Sequence, residues 1–351
     1  MGETPKLLED LLRAPAPSGY EGPASDVWRQ AASFASVSTD ALGSSVARIG
    51  AERGAPLLAV VGHIDEIGLV ITHVDEKGFL YFAPIGGWDA QILVGQRVQV
   101  QGKTGAVPGV IGRKPIHLLK EEQRKKVVEL REMHIDIGAA DEEEALDRVR
   151  VGDPVVIAAE PVRLAGGRLI SRSLDNRLGA YVALEALRRV HERGGFEGQM
   201  AAVAAVQEEI GSKGAATTAF SLEPDLALAV DVTHATDAPG VEEKELGRHP
   251  LGSGPVIGRG STLSPRIFEL LSEAAERLDA PHSVEASGRA TWTDADAIQI
   301  ARAGIPAGLI SIPLRYMHSP VEMVELADVE ATVELVAAFA AALEPGLDLS
   351  R

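Results

Sequence analysis

The sequence contains no cysteine and few aromatic residues, which make up 4% of its 351 positions. The absence of cysteine excludes disulfides and thiolate chemistry, so any metal site must be built from histidine and carboxylate side chains. Because aromatic side chains are scarce, the hydrophobic core must consist largely of alanine, valine, leucine and isoleucine. With 45% hydrophobic and 24% charged residues, the composition is otherwise typical of a globular protein.

Basic residues are in the minority, and the formal net charge is -17 at pH 7. A chain this acidic repels nucleic-acid phosphates and anionic membrane surfaces, so we expect neither as a partner. No apolar run is long enough to span a bilayer. The N-terminal segment MGETPKLLEDLLRAPAP lacks a basic start followed by an apolar stretch, and Lys6 stands where a myristoylation signal needs Ser or Thr. We therefore expect a cytoplasmic enzyme.

Short apolar runs alternate with helical patterns over most of the chain, which predicts an α/β domain whose largely parallel sheet is covered on both faces. An amphipathic helix is predicted at 178–190. Between about residues 73 and 162 the pattern changes to short alternating segments rich in glycine, which is typical of a small β-rich unit. Since this length favours about two domains, we predict a main domain over 1–72 and 163–351 and an inserted domain over 73–162.

Side chains that can bind metals follow four of the predicted strands, and one more precedes the long helix. The strands are expected at 57–61, 200–206, 226–230 and 308–312. In an open α/β sheet, ligands bind beyond the carboxyl ends of the strands, so these side chains should meet at one edge. The candidates are His63, Asp65, Asp175, Glu208, Glu209, Asp231 and His318.

Two histidines with three or more carboxylates are the ligands of a metal site built from nitrogen and oxygen atoms. The set is larger than one zinc ion needs. In a two-metal site a carboxylate bridges ions roughly 3.5–4 Å apart, which clamp a carbonyl oxygen and an attacking water. A further carboxylate must stay unligated to act as the base. The spacing of His63 and Asp65 places both on one strand face, so that Asp65 can orient the imidazole.

Each candidate taken alone has a simpler structural interpretation. A single histidine at a strand end is more often an ordinary hydrogen-bonded residue, and Asp175 can cap the helix that follows it. Asp231 can simply end a strand, and His318 can be exposed in its loop. The metal site is favoured because all of these residues recur at strand or helix ends of one sheet. His234 is a further candidate, which we interpret as a residue that lines the pocket.

Five segments carry a resemblance to a known family: GHIDEIG, SLDNRLG, VQEEIGSKGA, DVTHATDAPG and RYMHSPVE. In this order they resemble the dinuclear metallo-aminopeptidases that assemble as tetrahedral (TET-type) particles. These are the glutamyl and deblocking aminopeptidases, which are related to the zinc exopeptidases of the MH clan. The resemblance runs nearly end to end, because PSGYEG near the start and GPVIGRGSTLSP in the second half also match it.

The resemblance implies a metal-dependent aminopeptidase that removes N-terminal residues from peptides with a water activated by two metal ions. His63 and Asp231 would bind one divalent ion, and Glu209 and His318 would bind the second. Asp175 would bridge the two ions. Zinc is the expected metal, and cobalt or manganese also accept this ligand set.

The resemblance further implies that Glu208 is the general base and that Asp65 orients His63. The fold implied is a zinc-exopeptidase-like sheet with helices on both faces, interrupted by a small PDZ-like β domain that helps subunits associate. Members of the family form dodecamers from dimers, with active sites that face an internal chamber and admit peptides rather than folded proteins.

Two positions depart from the family pattern. The usual Gly-Gly-Thr-Asp-Ala segment reads ATWTDA at 290–295, so that Trp292 replaces a glycine. A large indole beside the site can narrow the pocket or pack at a subunit contact, which bears on the preferred N-terminal residue. Gly62 stands where alanine is usual, a small change that should leave the metal ligands in place.

Other functions also remain open from the sequence. A carboxypeptidase or an N-acyl amino acid deacylase shares the dinuclear scaffold and differs in the pocket. A retaining glycoside hydrolase would need two carboxyl groups about 5–5.5 Å apart facing one site. Glu208 and Glu209 suit that poorly unless the strand has already ended, since neighbouring strand residues point to opposite faces, and His63 and His318 would have no role. A non-catalytic assembly protein has no use for a second glutamate beside a metal ligand.

Overall fold

The computed structural model describes residues 3–50, 56–194, 196, 198–344 and 346–349. Among these residues the helices are α1 Lys6–Arg13, α2 Gly22–Ala31, α3 Ala90–Leu93, α4 Glu121–Arg124, α5 Glu142–Arg148, α6 Leu174–Arg193, α7 Lys213–Leu222, α8 Glu243–Leu246, α9 Pro265–Arg277, α10 Asp294–Gln299 and α11 Leu326–Ala341. The strands are β1 Ser36–Thr39, β2 Ser45–Gly50, β3 Leu57–His63, β4 Gly68–Val74, β5 Leu80–Ile85, β6 Arg97–Gly102, β7 Gly105–Arg113, β8 Met133–Asp136, β9 Pro154–Ile157, β10 Val162–Arg163, β11 Arg168–Ser171, β12 Gln199–Ala205, β13 Leu226–His234, β14 Val256–Gly260, β15 Ser283–Ser287, β16 Ala307–Leu314 and β17 Glu322–Glu325.

An eight-stranded sheet forms the main body, with the strand order β1-β2-β12-β3-β13-β16-β14-β15. The four strands β12, β3, β13 and β16 pair in parallel at its centre, as the buried apolar runs predict. Antiparallel pairs flank this centre, where β2 joins β12 and β14 joins β16. The carboxyl ends of the four central strands therefore lie at one edge of the sheet.

Helices cover both faces of the main sheet, as the sequence predicts for an α/β domain. Because strand side chains alternate, Leu58 and Val60 of β3 join the large core that includes α6 and α11. Ala59 and Val61 face the other way, into a core formed with α7 and α10. The helix predicted at 178–190 is confirmed as part of α6, in which the apolar positions are buried and the polar Glu185, Arg188 and Arg189 are partly exposed. It lies between the sheet and the helices α1 and α11.

Six strands between Gly68 and Ile157 close into a small barrel in the order β4-β5-β8-β7-β6-β9. The barrel has its own core, in which Leu69, Val98 and Ile135 are buried. This is the region where the sequence changes to alternating, glycine-rich segments. The domain division at 73 and 162 and the PDZ-like form both stay predictions.

A third sheet of β10, β11 and β17 lies next to the main sheet and brings Glu322, the first residue of β17, to the site described below. The loop after β5 reaches the same place with Gly87. Among the described residues, no helix combines the length and the apolar character that crossing a membrane requires.

Candidate active site

The strand ends bring the predicted residues to one edge of the main sheet. His63 is the last residue of β3, and Glu208 and Glu209 follow the end of β12. Asp231 lies inside β13 rather than after it, because this strand continues to His234 and is longer than its apolar run. With two further predicted residues, Asp175 and His318, these side chains line one cavity.

Asp175 lies between the two predicted histidine ligands. Its Oδ1 atom is 3.2 Å from His63 Nε2, and its Oδ2 atom is 3.4 Å from His318 Nε2. Burial opposes its ionisation, but hydrogen bonds from both imidazoles outweigh burial and hold its pKa below the usual range. Asp175 does not cap α6. That role falls to Asn176, whose Oδ1 accepts the backbone N–H of Gly179 at 2.8 Å.

Asp65 is fully buried and fixes the backbone on which both glutamates stand. Its Oδ1 accepts the N–H of Glu208 at 3.0 Å, and its Oδ2 accepts the N–H of Glu209 at 3.2 Å. Ser18 donates its hydroxyl to Oδ2 at 2.6 Å, and His63 Nδ1 is 3.4 Å from Oδ1. The expectation that His63 and Asp65 share a strand face is wrong, because β3 ends at His63. The contact forms through the turn that follows.

Glu208 and Glu209 are adjacent in sequence but have different surroundings. Glu208 accepts the hydroxyl of Ser212 at 3.3 Å, and its Oε2 is 3.8 Å from His63 Nε2. Burial and nearby carboxylates raise its pKa. Glu209 turns toward His318, with 3.3 Å between Oε2 and Nε2, and its Oε1 is buried without a hydrogen-bond partner. Burial raises the pKa of Glu209 to about 7.

His318 is held in one orientation by its neighbours. Its Nδ1 lies 2.9 Å from the carbonyl oxygen of Gly87, which only accepts, so Nδ1 carries the proton in that bond. Nε2 is then left to face Asp175 and Glu209, which is the arrangement in which a neutral imidazole binds a metal. Hydrogen bonds to these two carboxylates raise the pKa of His318 to about 11.

Asp231 lines the same cavity and is buried. Its Oδ1 accepts the N–H of Val232 at 2.8 Å. Burial raises its pKa well above the ordinary value. A carboxylate in such a place costs free energy unless a cation compensates it.

The donor atoms fit a divalent metal ion. Ligand atoms of His63, Asp175 and Glu209 all lie within 4.8 Å of one another. The unpartnered Oε1 of Glu209 is the kind of buried acceptor that an ion would satisfy. Imidazole nitrogen and carboxylate oxygen are ligands that zinc, cobalt and manganese accept.

Two buried acidic residues at this site were not predicted from the sequence. Glu322 accepts the N–H of Asp175 through Oε2 at 3.1 Å and the N–H of His318 through Oε1 at 3.0 Å. Asp294 at the start of α10 is buried, and neither of its carboxylate oxygens has a hydrogen-bond partner. Burial, followed by the charge of Glu208, raises the pKa of Asp294 to about 8. The only sequence signal was that both lie in segments that match the family, RYMHSPVE and the TDA of 293–295.

The cavity has a volume of about 810 Å³ and extends from these residues along β13 to β15. His234 lines it, as the sequence analysis expects. Trp292 lines it too but is 89% exposed, so its indole does not pack into the site within this chain. Its φ of 58° is in the left-handed region that favours glycine, the residue usual there in the family it resembles.

Comparison with known proteins assigns the chain to a family. The M42 glutamyl aminopeptidase family matches residues 43–335. A lysyl aminopeptidase from Pyrococcus furiosus is 34% identical over 347 residues, which cover 97% of each chain. The structure of a TET aminopeptidase from a marine sediment archaeon of the Thaumarchaeota superimposes with a TM-score of 0.92 at 35% identity, covering 97% of this chain and 96% of the other. The Pyrococcus horikoshii TET1 peptidase, which can assemble into a tetrahedron or a large octahedral shell, gives a TM-score of 0.84 at 33% identity over 95% of this chain and 98% of its own. The chain therefore belongs to the M42 glutamyl aminopeptidase family and is a metal-dependent aminopeptidase that removes residues from the N-termini of peptides.

Proposed function

We propose that this aminopeptidase works with two divalent ions per subunit, held by the residues that the strand ends bring together. His63 and Asp231 hold one ion, Glu209 and His318 hold the other, and Asp175 is shared between them. The observation that carries the proposal is that Asp175 presents one carboxylate oxygen to each histidine, at 3.2 and 3.4 Å. That is the placement a bridging carboxylate needs. Zinc is the proposed metal, with cobalt and manganese as alternatives.

Two ions bound there would polarise the scissile carbonyl and lower the pKa of the attacking water toward about 7. Glu208 takes the proton of that water and passes it to the leaving amine. Its carboxylate suits a base because burial raises its pKa and because its one hydrogen bond among the described residues is with Ser212. Asp65 contacts both His63 and the backbone N–H of Glu208, and it thereby fixes the position of the base relative to the metal ligand.

The roles are tested by replacing the two glutamates separately. Glu208→Gln should lower kcat by about 10²–10⁴-fold, the usual contribution of general acid–base catalysis, and should leave the metal content unchanged. Glu209→Gln should lose metal as well as activity. Glu192→Gln, an exposed glutamate on α6, is the control. A near wild-type rate for Glu208→Gln on aminoacyl substrates would show that another group is the base.

The number and identity of the ions are tested by elemental analysis and by adding metals back after chelation. The proposal expects two ions per chain and recovery of activity with zinc. If activity returns with cobalt or manganese but not with zinc, the metal that restores activity is the one the enzyme uses. A stoichiometry of one in a fully active enzyme would contradict the two-metal site.

We also propose that the chain forms dimers that assemble into a dodecamer, with the β-rich domain over 73–162, PDZ-like in form, as the dimerisation unit. Support comes from three apolar side chains that lie between β7 and β8 and are more than half exposed: Ile116, Leu118 and Val127. Large exposed apolar side chains so near one another in the sequence are candidates for a subunit contact. Light scattering should give a mass near twelve times that of the 37.0 kDa chain. Replacing Ile116 and Leu118 by Asp should reduce it; an unchanged mass places the dimer contact elsewhere.

A further inference from the structure

The cavity wall beyond the metal-site residues carries negative charge only. Among the described residues that line the cavity there is no lysine or arginine, and the ionisable groups outside the proposed metal site and base are His234, Glu285 and Asp296. Asp296 is less open to a ligand, because its Oδ2 accepts the N–H groups of Thr291 and Trp292 at 2.8 and 2.9 Å and its Oδ1 is buried. Glu285 is therefore the carboxylate most available to a ligand.

Glu285 is held at the cavity wall but keeps an oxygen free. It lies on β15 beside Gly258, and its Oε1 accepts the hydroxyl of the buried Thr233 at 3.0 Å. That is its one hydrogen bond among the described residues. This hydrogen bond orients the Glu285 side chain, and Oε2 remains available to a group that enters the cavity.

The position of Thr233 sets how far Glu285 lies from the reacting centre. Thr233 is two residues beyond Asp231 on β13, so both side chains are on the same face of the strand. Two strand residues span about 6.6 Å. In the proposed function the scissile carbonyl of a substrate lies near Asp231, and this separation is then comparable to the four-carbon stem that carries the ammonium group of a lysine.

We infer that Glu285 selects a basic side chain at the N-terminal position of the peptide, so that this enzyme favours lysine and arginine over neutral residues of similar length. The inference rests on the proposed function, because it places the scissile bond at the residues assigned there. A lysine or arginine side chain reaches along the cavity and pairs its charge with the carboxylate of Glu285. An acidic side chain in the same place meets a like charge and binds poorly. The net charge of -17 also favours the approach of cationic peptides.

The test compares lysyl, norleucyl and glutamyl p-nitroanilides, since norleucine keeps the length of the lysine stem and lacks its charge. In the wild type we expect kcat/KM to fall in the order lysyl, norleucyl, glutamyl. Glu285→Gln should reduce the lysyl-to-norleucyl ratio by roughly tenfold, mainly through KM, because a partly desolvated ion pair contributes about that much. The norleucyl rate should change little. Glu276→Gln on the exposed side of α9 is the matched control.

Two further readouts separate direct recognition from a structural effect. Free L-lysine should inhibit the wild type more strongly than L-norleucine, and Glu285→Gln should remove the difference. The lysyl-to-norleucyl ratio of the wild type should also fall with rising salt, because the contact is ionic. Glu285→Lys should shift the preference toward the glutamyl substrate.

The inference is overturned if Glu285→Gln keeps the lysyl-to-norleucyl ratio, or if the wild type prefers the norleucyl or glutamyl substrate. In either case norleucyl hydrolysis that still depends on Glu208 and on metal would leave the proposed function intact. A wild type that cleaves none of the three substrates contradicts the proposed function and the role of Glu285 with it.

Discussion

Asp65 explains how two adjacent glutamates can serve different purposes at this site. Both backbone N–H groups are bound to the same buried carboxylate, one to each oxygen, so the turn after β12 cannot rotate. From that fixed turn the side chain of Glu208 goes toward His63 and that of Glu209 toward His318. The two negative charges therefore face different imidazoles. Two neighbouring residues can thus serve as a proposed base and a proposed metal ligand.

Glu322 provides a similar constraint from β17, and its loss should weaken metal binding. Each of its oxygens accepts a backbone N–H, one from Asp175 and one from His318. Glu322→Gln turns one acceptor into an NH2 group that faces an N–H donor, so one of the two proposed ligands must move. Because residues that orient metal ligands typically contribute 10–100-fold to affinity, we expect a loss of about that size. Titration with zinc in a competing chelator measures it.

The control for this variant is Glu192→Gln, which makes the same change at an exposed position of α6. It should bind metal like the wild type. If Glu322→Gln also retains wild-type affinity, then Glu322 acts only in packing, and the two backbone bonds do not position the site.

At the level of single residues, the sequence allows prediction of those that follow buried strands. His63 and the Glu208–Glu209 pair come after runs of alanine and valine, whose burial on both faces identifies the strands and so the edge where they end. Glu322 and Ser18 come from segments outside the main sheet. Their positions depend on how the third sheet and the N-terminal loop pack, which no local pattern reveals.

At the level of elements, the contact of α6 with β3 and β13 depends on two glycines. A Cβ atom at Gly62 would lie 2.1 Å from the carbonyl carbon of Gly179, and a Cβ atom at Gly179 would lie 2.2 Å from the carbonyl oxygen of Val230. The helix therefore lies with its backbone directly against the sheet. This close approach places Asp175, at the N-terminal end of α6, next to His63.

Gly62→Ala should therefore destabilise this chain, although alanine is usual at this position in the family it resembles. The added methyl group meets backbone atoms and not a flexible side chain, so α6 must shift. Overpacking of this kind typically costs about 1–3 kcal/mol in the free energy of unfolding. Urea denaturation measures the change. Gly22→Ala is the matched control, because a Cβ at Gly22 has open space in α2; equal stability of the two variants would contradict the close packing.

The elements of the main sheet were easier to predict than those of the barrel. Strands such as β3 and β16 are continuous apolar runs bounded by glycine or proline, and those runs indicate their approximate limits. The barrel closes through pairs that are distant in sequence, such as β4 with β9, where Leu69 lies opposite Val155. Alternation predicts that such segments are strands but not which strands become neighbours, because the pairing depends on tertiary packing.

For the molecule as a whole, the concentration of buried acid groups makes the metal-free state costly. Glu209 and Asp294 have pKa values raised to about 7 and about 8, with burial as the leading cause. A carboxyl whose folded pKa lies above its ordinary value of about 4 stabilises the folded state only while protonated. The metal-free protein should therefore lose stability as the pH rises from about 4.5 to about 8.

Chelation should consequently lower Tm more at pH 8 than at pH 5. At pH 8 the ions compensate carboxylates that would otherwise be ionised and unpaired, whereas at pH 5 protons already neutralise them and compete with the metal. An ion present at a thousandfold excess over its Kd stabilises by about 4.1 kcal/mol, which corresponds to about 6 °C in a chain of this size. Thermal unfolding with and without chelator, at fixed protein concentration because assembly also affects Tm, measures the difference.

Asp231→Asn removes a proposed ligand and should reduce the chelator effect, while Glu192→Gln should preserve it. A Tm that chelation leaves unchanged, or lowers more at pH 5 than at pH 8, would show that metal ions do not compensate these buried carboxylates.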